Sequence, residues 1–421
     1  MSTAQTPPQD FGGVPLAKRV VNPGFALLLV AIILLAINLR SPIVAIAPVI
    51  RDIQAELGIS AAVAGLFTSL PVLCFGLATP IAVIVIRRLG AESAVLVCLS
   101  GVFVGTLLRS VGPTWLALSS TIIIGLAVTI GNVVVPVIIR REVTPERAGL
   151  VTGTYTAAIN IGTMLVTLGT APLASLFGWR IAIAAWAVLV LVAAAVWIAH
   201  SRRPPKFENP EAVAEPLIAR RALWRNATTW LLVVCFSGQA FSYYSITTWL
   251  PTLLADERGF SREVAGGFSS IYQVCAVVGA IGVPLLAFRI PVWSTIVLVG
   301  GLWITMPLGL PLAPEQFLIW SITAGIAQGG GLTVVLAIVI RLGRSSREST
   351  FISALVQGCG YVVAAAGPPI IGAVHDATNG WSAPLIIVIG ALLIFTAFGI
   401  TAAIRTDRRT ASPAPASVGS A

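Results

Sequence analysis

Between Pro23 and Ile404, apolar runs of about twenty residues follow one another, separated only by short stretches holding most of the arginines and acids. A run of that length crosses the roughly 30 Å hydrocarbon layer of a bilayer as a helix, the backbone bonding to itself where no water can. Twelve spans are expected, at 25–50, 61–86, 92–109, 115–139, 150–173, 180–200, 228–254, 264–288, 292–310, 316–340, 350–373 and 382–404. Composition points the same way: 57% of the 421 residues are hydrophobic and 10% charged, too little charge to cover a soluble surface. The fold class is all-α integral membrane. The net charge of +10 does not indicate nucleic acid, because the basic residues flank the apolar runs instead of forming one patch. The first run is too long for a signal peptide and is interrupted by Asn38-Leu39-Arg40, so it stays as a span.

The chain divides into an N-terminal segment (1–24), a six-span bundle (25–200), a linker (201–227), a second six-span bundle (228–404) and a tail (405–421). The linker opens Ser-Arg-Arg-Pro-Pro-Lys and carries Glu208, Glu211 and Glu215, a polar, proline-bearing composition. Lysine and arginine set the orientation: twenty lie on the side of the N-terminus and five on the other, with Arg40 inside a span. That bias places both termini and the linker in the cytoplasm. An offset of 201 residues superposes Glu56, Gly58, Ser60, Val63, Ala64, Gly65, Phe67, Ser69 and Cys74 on Glu257, Gly259, Ser261, Val264, Ala265, Gly266, Phe268, Ser270 and Cys275. It also pairs Asn38 with Gln239. A duplicated six-span unit leaves its halves in the same orientation, with a binding site expected on the interface between them.

Two six-span halves joined by a cytoplasmic linker resemble the major facilitator superfamily over nearly the whole chain. The resemblance implies two pseudo-symmetric six-helix bundles. Ile37-Asn38-Leu39-Arg40-Ser41-Pro42-Ile43, Ala47-Pro48 and Leu66-Phe67-Thr68-Ser69-Leu70-Pro71-Val72 resemble, within it, the cyanate and 2-nitroimidazole transporter family. Gly367-Pro368-Pro369 and His375-Asp376-Ala377-Thr378-Asn379-Gly380-Trp381 resemble that family's junction between the eleventh and twelfth spans. The superfamily's loop after the second span usually holds an acid, a base and a glycine. Here Arg88 and Gly90 fit, but Arg87 occupies the acid's place.

Arg40 is the sharpest functional signal. It stands about fifteen residues into the first span, about 22 Å along the helix, and none of the sixteen acids lies as deep. An arginine at bilayer depth costs at least about 2.5–3.5 kcal/mol and marks a solute path more often than a packing position. Its planar, permanently charged fork suits a small anion. Pro42 removes the N–H that the Asn38 carbonyl would receive and loosens the helix beside it. Further candidates for solute contact are Asn38, Gln239, Tyr243 with its neighbour Tyr244, Thr156 and Asn160 four residues apart, their repeat mates Gln357 and Tyr361, and Gln328. Asn132 and Gln273 are weaker ones, and helix–helix hydrogen bonds are the alternative use of any of these amides.

The expected function is alternating-access transport of a small anionic or polar planar solute anchored by Arg40. The resemblance implies cyanate-like or nitroimidazole-like compounds and a bacterial inner membrane. Efflux of a larger drug-like or metabolite compound is the alternative. An enzyme would need a nucleophile–base pair or metal ligands at depth, and the deep segments hold no Asp, Glu or His. The five cysteines lie within apolar runs and the two histidines lack metal spacing, so no cofactor or metal is expected. A monomer in contact with lipid and solute is anticipated. Coupling ion and direction stay open.

Overall fold

The computed structural model describes residues 23–202, 224–287, 289–343 and 345–411. The N-terminal segment through Asn22, most of the linker and the end of the tail lie outside the described residues. So do Lys18, Arg19, Arg203, Lys206, Arg220, Arg221 and Arg344 of the charge bias. In the first half of the chain the helices are α1 (Pro23–Val44), α2 (Ile50–Leu57), α3 (Ala61–Leu77), α4 (Thr79–Val111), α5 (Thr114–Glu142), α6 (Pro145–Ala185) and α7 (Ala187–Ser201). In the second they are α8 (Ala227–Arg258), α9 (Arg262–Ala287), α10 (Val292–Leu312), α11 (Phe317–Leu342), α12 (Ser346–Ala364), α13 (Gly367–Thr378) and α14 (Ser382–Ala411).

The outside of this assembly is greasy and the inside partly polar. Leu77, Val111, Trp115, Leu176 and Leu312 are exposed, whereas Asn38, Thr163, Thr170, Ser242 and Gln273 are buried. Water would not tolerate so much exposed apolar surface, and lipid does. Buried threonine and serine hydroxyls return to the carbonyl four residues back, as Thr167 does to Thr163 at 2.7 Å and Ser242 to Gly238 at 2.8 Å. That internal bond is how such residues enter an apolar core without a partner helix.

Nine helices among the described residues are long and apolar enough to cross a membrane. The twelve expected spans therefore do not appear as twelve separate rods, for local reasons. The second expected span breaks at Ala78, leaving α3 only 17 residues long. Helices α4 and α6 each bend sharply at a residue outside helical φ/ψ, Gly90 (φ 81°, ψ 165°) and Gly178 (φ 79°, ψ 158°), where one helix abuts the next with no loop between them. Helix α8, 32 residues long, is not one of the nine, its apolar residues being interleaved with Ser237, Gln239, Ser242, Tyr243, Tyr244, Ser245, Thr247 and Thr248.

The 201-residue repeat is written in the backbone. Gly58 and Gly259 both close a helix at positive φ, 63° and 64°. Two residues on, Ser60 and Ser261 cap the next helix, accepting from Val63 at 3.3 Å and Val264 at 3.4 Å. Gly178 and Asn379, also 201 apart, share only the sign of φ (79° and 51°), their ψ values being 158° and 36°.

Within the first half α1 packs on α6 and α7, and α4 on α5; within the second α8 packs on α12 and α14, and α9 on α11. The α9–α11 approach is tight because Gly325 and Gly329 sit against the backbone of Tyr272 and Ala276. Two seams join the halves, α3 against α12 and α13, and α6 against α9. They obey the same offset. A Cβ on Gly65 would meet the Pro368 carbonyl at 2.7 Å, and one on Gly266 would meet the Thr167 carbonyl at 3.2 Å.

Candidate functional site

Between the halves lies a cavity of about 460 Å³. Helix α1 contributes Arg40; α5 Thr129 and Asn132; α6 Tyr155, Thr156 and Asn160; α8 Phe236, Gln239, Tyr243 and Tyr244; α11 Gln328; and α12 Gln357 and Tyr361, with Phe75 from α3. Arg40 is the one charged residue of this lining, which includes no carboxylate. Its guanidinium carbon lies 5.2 Å from the ring centre of Tyr243 and 6.0 Å from that of Tyr244. Ring faces are electron-rich, so they hold a cation in place without neutralising it. The charge stays available.

The rings form a chain. Tyr243 meets Tyr244 at 4.9 Å, Tyr244 meets Tyr361 at 6.3 Å, and Tyr361 meets Phe236 at 5.1 Å and Phe75 at 5.4 Å, all edge-to-face. Around them are buried polar atoms with no hydrogen-bond partner among the described residues: the Tyr243 and Tyr244 hydroxyls and Nε2 of Gln328. Each can donate, and a buried donor left unpaired is unfavourable by about 1–3 kcal/mol. On the facing wall Asn160 donates to the Thr156 carbonyl at 3.1 Å and Thr156 to that of Thr152 at 3.0 Å. Tyr155 donates to Asn132 at 3.5 Å, and Gln357 to Ser353 at 2.8 Å. A cationic fork with surrounding donors and no acid is electrostatically complementary to an anion.

Of the residues singled out from sequence, Arg40, Gln239, Tyr243, Thr156, Asn160, Gln328, Gln357 and Tyr361 come together on this lining, as do Tyr244 and Asn132. Asn38 does not. It is buried, and its amide donates to Leu34 at 2.8 Å and across to the Leu189 carbonyl of α7 at 3.2 Å, which corrects its expected place at the solute. Two residues along α1 from Arg40 is a turn of about 200°, so the two side chains leave opposite faces. Gln273 bonds Thr247 at 3.3 Å, away from the lining. Sequence reasoning misses Phe75, Tyr155 and Phe236; aromatic residues in apolar runs look like core, and only Tyr155, flanked by Thr154 and Thr156, gives any signal. Arg109, expected at a span end, is 1% exposed, with none of its three guanidinium nitrogens partnered among the described residues.

One end of the molecule is bridged between halves. Arg51 pairs with Asp256, Arg262 with Asp52 at 2.7 Å, Ser175 bonds Glu263, and the Ala61 amide donates to Asp376 at 2.8 Å. Asp256 also accepts from Trp381 Nε1 at 2.9 Å and stands 3.8 Å from His375, so this histidine belongs to a cluster. At the other end, Arg141 pairs with Glu92 and Glu142, and Arg341 with Asp407 at 3.5 Å, each inside one half.

Residues 26–316 match the family profile described as Major Facilitator Superfamily. An uncharacterized transporter of Bacillus subtilis is 30% identical, covering 88% of this chain and 92% of its own. A 2-nitroimidazole transporter of Escherichia coli is 28% identical (89% and 95%), and the cyanate transport protein of the same organism 24% (88% and 97%). Among solved structures, a bacterial homolog of the human lysosomal transporter Spinster, inward-facing and unoccupied, superposes with a TM-score of 0.77 at 17% identity, covering 93% of this chain and all of its own.

Proposed function

Because this chain belongs to the major facilitator superfamily, a family of transporters and not of enzymes, we propose that it moves a cyanate-like or nitroimidazole-like solute across a bacterial inner membrane, with Arg40 as the anchor. Secondary transport of a small polar or anionic solute by alternating access follows from the family and its homologues; the solute and its anchor are the proposal. One observation carries it: Arg40 stands as the lone charge in an acid-free cavity between the repeats. The arrangement supports a solute that itself supplies the countercharge, received by Arg40 with Gln239, Tyr243 and Gln328 on one wall and Thr156 and Asn160 on the other.

The same reading takes the helices as twelve spans in two six-helix bundles, 25–200 and 228–404. Division of α4 at Gly90, division of the α6–α7 run at Gly178, joining of α3 to the start of α4, and inclusion of α8 support that number. Termini in the cytoplasm would put the bridged end outside and open the cavity inward, the state of the Spinster homolog. The chain acts as a monomer in this scheme. The volume of about 460 Å³ favours a second reading, a larger drug-like solute, since cavities of about 300–1,000 Å³ hold compounds of that size. Counterflow in proteoliposomes tests the choice with cyanate, nitrate, bicarbonate, 2-nitroimidazole and small carboxylates. Exchange of monovalent anions is expected; exchange confined to cations or bulky neutral compounds would contradict the anchor.

A further inference from the structure

We propose that the preferred solute of this cavity is an aromatic monoanion, a single flat ring bearing one carboxylate-like head; this rests on the anion reading above and, within it, ranks a cyanate-like ion below a ring-bearing one. The head is dictated by Arg40. Its fork is the charge of the lining, and the hydroxyls of Tyr243 and Tyr244 beside it have no partner among the described residues, so two oxygens of a carboxylate would find a cation and donors together. The body is dictated by what lies beyond. From beneath the guanidinium the rings continue without a gap through Tyr361 to Phe236 and Phe75, neighbouring centres 4.9–6.3 Å apart. Such rings present both edges and faces, and a flat π-system joins an edge-to-face array in the geometry aromatic groups prefer.

Size points the same way. A three-atom anion fills a space on the order of one or two waters, about 30 Å³ each, and would satisfy Arg40 while leaving most of the roughly 460 Å³ and the whole ring chain untouched. An aliphatic acid would reach the rings but gain only burial. A neutral aromatic would use the rings and leave the guanidinium without a countercharge at depth, which is the costly element of the site. Only the combination of ring and single negative charge engages both features. A second charge would meet no second cation in the lining.

The test is ligand-dependent thermal stabilisation of the purified full chain with four probes: benzoate, cyclohexanecarboxylate, benzamide and cyanate. Benzoate is expected to bind about five- to tenfold tighter than cyclohexanecarboxylate and more than tenfold tighter than benzamide. Cyanate should be weakest. Tyr361→Leu should bring the benzoate to cyclohexanecarboxylate ratio toward one, and Phe236→Leu serves if that variant does not fold. Equal binding of benzoate and cyclohexanecarboxylate, both ahead of benzamide, overturns the aromatic class and leaves the anion reading intact, as does tightest binding of cyanate. Benzamide equal to benzoate overturns both, because charge then contributes nothing. Binding of none of the four overturns the aromatic class.

Discussion

At the 201-residue offset, Asn38 of the first half corresponds to Gln239 of the second, Thr156 to Gln357, Asn160 to Tyr361 and Arg40 to Phe241. The backbones match where helices end, as the left-handed pair Gly58 and Gly259 shows. The walls do not. The first half brings the cation and short polar side chains; the second brings most of the rings and longer amides. A duplicated scaffold has kept its symmetry where helices end and cross, and lost it where a solute would lie. The reason is physical: helix ends and crossings are fixed by backbone geometry common to both halves, whereas an unsymmetrical ligand needs a charge on one side and a surface on the other.

The seams sharpen the comparison, and they give the largest expected effect. Gly65→Ala drives a methyl into the backbone of Pro368 and Pro369 at 2.6–2.7 Å, where nothing flexible can yield. A loss of about 1–3 kcal/mol in thermal unfolding is expected. At the symmetry mate, Gly266→Ala meets Thr167 at 3.2 Å and needs only a slight shift. Removal of glycine from a helix returns about 0.5–1 kcal/mol, so the net change there should be near zero. Equal losses at both positions would break the idea that the α3 seam is the rigid one.

A smaller effect is expected at the bridged end. Asp256→Asn releases Arg51 and weakens the contact with His375. Arg51 is half exposed, so the pair is worth about 0.2–1 kcal/mol, a shift of no more than about fivefold toward opening of that end. Thiol labelling of a cysteine at Thr252, buried on α8, reads this shift. Arg341→Gln, which breaks a pair inside one half, should leave labelling unchanged. If both variants open the end equally, bridging between halves is not what closes it.

The smallest effect separates the repeat mates. Asn38→Ala removes its bond to Leu189 and should lower stability by about 0.6 kcal/mol with solute affinity unchanged, since interhelical bonds in membranes average about that. Gln239→Ala should do the reverse, lowering affinity a few-fold. Affinity loss at Asn38 would return that residue to the site.

Most of the cavity lining was legible because a polar side chain inside an apolar run is conspicuous whatever the fold. Arg40, Gln239, Gln328 and Gln357 each stood out in this way. Rotation about the helix axis was not legible. The two-residue spacing puts Asn38 and Arg40 on opposite faces, but a helix apolar all round carries no periodic stripe to say which of those faces meets the cavity. Phe75 and Phe236 were hidden for the opposite reason, being apolar among apolar neighbours. Arg109 misled by position: two residues from the end of α4 it resembled an interfacial charge, yet it is buried. At Gly90 and Gly178 two helices abut across a single non-helical residue with no loop between them, so adjoining apolar runs form one long bent element instead of two separate rods.

The central claim is that Arg40 serves the solute and not the fold, and one paired measurement on Arg40→Gln tests it: anion affinity and thermal stability, both in the same detergent. Charge-assisted bonds are worth about 1.5–3 kcal/mol, so affinity for the transported anion should fall more than tenfold. Stability without solute should hold or rise, because a guanidinium at depth with no carboxylate in its lining is itself unfavourable. Unchanged affinity with reduced stability would contradict the account and make Arg40 a structural residue.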